Sequence, residues 1–216
     1  MKQKHLDLRK YGGVPLEYGM LKLDFPQYDS VKDKIDSLVQ EGSLVRLKRG
    51  WYVVATTVSG QPYCKGAIAN SLYGPSYVSL ETALSYYGLI PEGVYATLSV
   101  NTKKAKAYTN EVGRFEYYKV PSEYYPIGIT AAVQQDNQAF LIASPEKALC
   151  DLLYRLHGHR IQSKKAMHAF LFEDMRVDLS ALESFDATVV RRIISLGFKK
   201  KVFSLLLEVL HDEYDH

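Results

Sequence analysis

The sequence predicts an α+β protein, with an N-terminal winged helix-turn-helix followed by a larger domain. That domain is expected to hold a mainly antiparallel sheet and a helical C-terminal third. Three observations carry the prediction. Apolar residues run at helical spacing over residues 28–40, then alternate over 44–54. Four strand-like runs follow between 94 and 142 with no helix between them. From Ser144 onward the apolar spacing is helical again.

The first segment is the most informative. Val14-Pro15-Leu16-Glu17-Tyr18-Gly19-Met20-Leu21 reads as a short helix with Pro near its start, broken by Lys22–Pro26. Tyr28, Val31, Ile35, Leu38 and Val39 then form one apolar stripe of a second helix, which Gly42 ends. Leu44, Val45 and Leu47 lead through Lys48-Arg49-Gly50 into Trp51-Tyr52-Val53-Val54, two short strands joined by a turn. Helix, break, helix and basic hairpin make the outline of a winged unit over residues 1–56. Residues 57–62, small and polar, read as a linker to a second domain at 63–216.

In that second domain, helices are expected at about Tyr63–Leu72 and at Leu80–Tyr87, the latter with Ser79 as N-cap and Gly88 as stop. Strands are expected at Val94–Val100, Arg114–Val120, Ile127–Val133 and Ala139–Ile142. Ser144-Pro145 opens a helix with a serine cap and proline in its first turn. Further helices are expected near Ser163–Phe172, Thr188–Leu196 and Lys199–Leu210.

Composition narrows the function classes. Apolar residues make up 47% and charged residues 24%, ordinary for a globular protein with a proper core. No apolar run approaches the roughly 18 residues that span a bilayer, and no apolar stretch follows the basic start. A cytoplasmic location and no membrane partner are expected. Cys64 and Cys150 stand far apart in apolar surroundings and are expected as buried free thiols. The net charge of +3 lies entirely in residues 1–54, with 10 Lys+Arg against 7 Asp+Glu; the two later thirds are neutral. An anionic partner would therefore dock at the N-terminal segment.

Motifs of other chemistries are missing. There is no phosphate-binding or dinucleotide glycine pattern, no nucleophile elbow, and no Gly-Ser with a following Asp-x-Asp pair. His157 and His159 are the only tight histidine pair; with His168, His211 and His216 they lack the cysteine or carboxylate partners that zinc requires. No catalytic residue, cofactor or metal is expected. The tyrosine pairs Tyr117-Tyr118 and Tyr124-Tyr125 read as strand residues, and the lysine runs 103–106 and 199–201 as solvated charge. Glu81, Glu146 and Asp151 are the acids an enzyme reading would use; Glu146 and Asp151 read instead as first-turn and surface positions of one helix.

In a winged unit the second helix enters the major groove and the hairpin lies on the backbone. This puts Gln27, Tyr28, Ser30, Lys32 and Lys34 toward the bases, with Arg46, Lys48 and Arg49 holding phosphates. Tyr28 also fits the apolar stripe, and Trp51 fits as a hairpin anchor. Asp29, Asp33 and Asp36 on the same helix oppose phosphate, and a protein-interaction module with a scaffold α+β domain is the alternative.

Three ordered stretches resemble the AbiEi family of antitoxins from type IV toxin–antitoxin, or abortive infection, systems. They are Leu38 to Val53, Gly74 to Leu84 with Tyr87-Gly88-Leu89, and Ala143 to Leu153, within about residues 12–155. The resemblance implies a bacterial, non-enzymatic protein whose winged helix binds double-stranded DNA in its own promoter as an autorepressor, with oligomers forming on DNA in some arrangements. It implies that the larger domain opposes a nucleotidyltransferase-like toxin without requiring a stable complex with it. The missing Gly-Ser and Asp-x-Asp pattern agrees with the antitoxin side of such a pair.

Overall fold

A computed structural model describes residues 7–134, 138–156, 161–181 and 185–214. The chain is mixed α+β, built on a three-stranded antiparallel sheet and a six-stranded mixed sheet.

A 3-10 turn, Leu8–Tyr11, opens the first unit, with the Asp7 carboxylate accepting from the Arg9 amide. Strand β1 (Leu16–Glu17) follows, then helices α1 (Tyr18–Asp24) and α2 (Val31–Gln40). Pro15 therefore does not start a helix. The backbone after it pairs with β3 (Trp51–Val54), setting Leu16 opposite Tyr52, and the helix begins at Tyr18. Helix α2 starts later than its apolar stripe because the Ser30 hydroxyl accepts from the Asp33 amide and closes the N-terminus there. Strand β2 (Leu44–Lys48) pairs with β3 across the two-residue turn Arg49-Gly50, where Gly50 takes a left-handed φ of 78°. Leu16, Leu21, Phe25, Ile35, Leu38, Leu44, Tyr52 and Val54 form one small core.

The hairpin has two buried faces. Val45, Leu47, Val53 and Ala55, on the side away from α1 and α2, join the large core of the rest of the chain. The stretch read as a linker holds one turn of helix, α3 (Thr56–Ser59). It is tied back, since the Cys64 amide donates to Gly13 O at 2.9 Å.

The six-stranded sheet comprises β4 (Ser76–Val78), β5 (Ala96–Asn101), β6 (Lys106–Asn110), β7 (Gly113–Lys119), β8 (Ile129–Gln134) and β9 (Gln138–Ala143). Its order is β6-β7-β5-β4-β9-β8. Three of its five pairs are antiparallel, as expected, but the sheet is mixed: β5 runs parallel to β7 and β4 parallel to β9. The reason is that β7 inserts between β5 and β6, and that β4, too short to show an alternation, seats β9 beside it.

Helices α4 (Lys65–Leu72), α5 (Leu80–Tyr86) and α6 (Pro145–Arg155) cover the sheet. The C-terminal third adds α7 (Lys164–His168), a π-helical turn Ala169–Asp174, α8 (Ala187–Ser195) and α9 (Lys200–Tyr214). Ser144 caps α6 as expected, with its hydroxyl accepting from the Lys147 amide. Ser79 stands at the start of α5, but its hydroxyl caps nothing there; it donates to Asp151 at 2.6 Å. No helix among the described residues is long and apolar enough to cross a membrane.

Candidate nucleic-acid interface

The eight residues expected to meet nucleic acid fall into three groups. Gln27 and Tyr28 precede α2 on the turn after Phe25, where the Tyr28 amide donates to Phe25 O. Gln27 is exposed. Tyr28 is half-buried against the small core, edge-on to Phe25 at 6.1 Å. Ser30 uses its hydroxyl as the helix cap. Lys34 lies over the Tyr28 ring at 5.6 Å, while Lys32 is exposed on the first turn of α2. Of the cations on this helix, then, Lys32 is the exposed one, and Gln27 is exposed on the turn before it.

The three hairpin cations do not act together. Arg46 pairs with Asp36 of α2 at 2.6 Å and lies over the Tyr52 ring. This joins β2 to α2 and neutralises one of the acids that would repel phosphate. Arg49, exposed at the turn, has no ion pair among the described residues. Lys48 points elsewhere: its ammonium donates to Leu72 O at 2.6 Å and Ser71 O at 3.3 Å, capping the C-terminus of α4. Strict alternation would set Lys48 on the Arg46 side. The register slips between Arg46 and Lys48, where Leu47 is extra, and the bulge re-aims the lysine. Burial, then the nearby Lys106 ammonium, push the Lys48 amine below its usual value.

Sequence reasoning missed two charge sites. In the first, Glu146 and Asp151 are buried, not surface positions. Asp151 Oδ1 lies 3.3 Å from the Lys147 ammonium and its Oδ2 accepts from Ser79. Lys147, fully buried, also donates to Tyr124 O at 3.0 Å and sits 3.3 Å from the centre of the Tyr124 ring. Desolvation holds its amine below the ordinary lysine range. Glu146 accepts from the Ser144 hydroxyl and from the Asp186 amide that precedes α8. Glu81 pairs with Arg155, so the three carboxylates each serve a different partner. The helix itself gave no warning: Lys147, Asp151 and Arg155 fall four residues apart and make the polar stripe of an ordinary amphipathic helix.

The second missed site is the lysine run 103–106. It leads into β6, an edge strand whose Asn110 side-chain Nδ2 donates to Leu47 O of the hairpin at 3.1 Å. In the other run all three lysines are exposed, as expected, although the Lys199 ammonium also donates to Leu153 O, Tyr154 O and Leu156 O at the end of α6. A cavity of about 410 Å³ opens beside Tyr63, Tyr86, Phe140, Lys65 and Arg114, with no carboxylate in its lining. Cys64 and Cys150 are buried free thiols. Among the described residues no three His, Cys, Asp or Glu side chains could hold a metal; His157 and His159 lie outside them, and His168 pairs with Glu213. The chain matches no family model and no curated protein.

Proposed function

We propose that residues 1–56 are a winged helix-turn-helix that binds duplex DNA in the protein's own promoter. The remainder then carries the antitoxin activity of a type IV toxin–antitoxin system and opposes a nucleotidyltransferase-like toxin without catalysis of its own. The observation that carries this reading is a single small core holding α1, α2 and the β2–β3 hairpin in that order. The Arg46–Asp36 pair joins helix to hairpin, and Lys32 and Arg49 remain exposed. Lys32 and Gln27 would meet the groove, and Arg49 a phosphate. The antitoxin role rests on the resemblance of the three ordered stretches to the AbiEi family.

A promoter–reporter fusion carrying the upstream region tests it. The chain should repress the reporter, and Lys32→Ala/Arg49→Ala should restore expression at equal protein level. Reporter output indifferent to the chain would sink the autorepressor. One observation favours a protein-interaction module instead: Met20 and Leu23 of α1 stand exposed, Leu23 at 82%. Under that reading Leu23→Ser, and not Lys32→Ala/Arg49→Ala, abolishes activity in the cell.

A further inference from the structure

Lys103, Lys104 and Lys106 are all exposed, and they lie on the side of the sheet where β6 meets the hairpin. The Lys103 ammonium donates to Gly74 O at 2.5 Å and lies 5.4 Å from the centre of the Tyr73 ring. Lys106 stands 5.3 Å from Tyr73 and 4.7 Å from Tyr108. Lys48 stands 5.2 Å from Trp51, close enough to both other lysines to feel their charge. The rings beneath are fixed: Tyr73, Tyr108 and Tyr117 pack edge-on or tilted within 6.2 Å of one another, and buried Tyr117 bonds Ala69 O. Lys104 is exposed between the anchored pair.

None of these four lysines takes part in any ion pair found among the described residues, although eight such pairs occur elsewhere. Carbonyls and ring faces hold Lys48, Lys103 and Lys106 instead, and among the described carboxylates Glu17 is the one whose charge bears on Lys48. Cations assembled side by side without carboxylates repel one another, at a cost in stability that a bound polyanion would reverse. Cation–π contacts keep the ammonium groups charged and in place while leaving their outer side open.

We infer that Lys103, Lys104 and Lys106 form a phosphate-binding strip beside the hairpin that extends the footprint on duplex DNA beyond the winged unit. This rests on the winged unit binding duplex. The strip contacts backbone phosphates only, so it adds affinity without reading sequence. About three phosphates are engaged, each contributing ~0.9 to the slope of log K against log salt.

The test is fluorescence anisotropy of the full chain on a random-sequence duplex of about 30 base pairs, across a salt series. Lys103→Gln/Lys104→Gln/Lys106→Gln should weaken binding by tenfold or more (~10-fold) at low salt and lower the slope by ~2.7. Lys104→Gln/Lys106→Gln keeps the Lys103 anchor on Gly74 and should lower it by ~1.8, guarding against misfolding as the cause. Unchanged affinity and slope in both variants, with Lys32→Ala/Arg49→Ala still weakening binding, would overturn the strip and leave the winged reading standing. Loss in the lysine variants with none in Lys32→Ala/Arg49→Ala would overturn the winged unit and, with it, the strip as an extension of that unit's footprint. Tighter binding of the matching single strand than of the duplex would overturn duplex DNA as the partner.

Discussion

Removing the charge of Lys147 should unfold the protein under conditions that the unaltered chain tolerates. Its ammonium is fully buried 3.3 Å from Asp151 Oδ1, a separation at which two unit charges attract by about 5 kcal/mol at an effective dielectric of about 20. Lys147→Met preserves most of the stem but strands the Asp151 carboxylate, leaving it the Ser79 hydroxyl at 2.6 Å. Breaking one partner of a buried pair costs roughly 3–5 kcal/mol, because the other charge stays desolvated. Asp151→Leu strands the lysine and should cost the same order. With both changed, neither charge is buried alone, and the double variant should lose less than either single one. Urea denaturation, read as midpoint and slope, gives the coupling energy of the cycle. Single variants within ~1 kcal/mol of the parent, or a double variant that simply adds the two losses, would refute the buried pair as described.

Stability should fall as pH rises above about 10. Burial lifts the phenols of Tyr77, Tyr117 and Tyr124, and that of Tyr87 to about 12. An acid whose folded pKa is raised stabilises fully below its unfolded value of 10 and loses that contribution as pH climbs toward the folded one. Lys147, lowered, works the other way, so Lys147→Met should steepen the alkaline loss seen by circular dichroism. A thiol reagent should find neither Cys64 nor Cys150 in the native chain and both after denaturation, since burial raises both thiols. Lys48→Ala removes the cap on α4 and should cost about 1–2 kcal/mol, with faster amide exchange over residues 44–54 and 65–72. Gly13→Ala should destabilise the chain at this buried position, because a Cβ there would stand 2.0 Å from Pro62 O; thermal unfolding would report it.

The elements legible in the sequence were those with enough residues to show a period. Helix α2 showed four apolar positions on one stripe that Tyr28 before it continues, the hairpin alternated on both sides of a glycine turn, and Ser144-Pro145 marked the start of α6. Strands β1 and β4, two and three residues long, have no period to show and exist through their partners. Strand β6 was hidden by lysines that read as charge, although pairing with β7 makes it a strand. The candidate site was legible in outline and misread in detail. One extra residue at Leu47 turned Lys48 from the expected DNA face to the end of α4. The carboxylates at 146 and 151 read as surface positions because the Asp186 amide and the Ser79 hydroxyl that meet them are remote in sequence and near in space.

The central claim, sequence-specific DNA binding by the first unit, is tested most directly by the affinity ratio between the upstream duplex and a scrambled duplex of equal length and composition. Measured by titration at fixed salt near 0.15 M, the ratio should exceed about 10³, and Lys32→Ala should reduce it while Arg49→Ala lowers both affinities together. A ratio near one, with Lys32→Ala leaving it unmoved, would contradict the account.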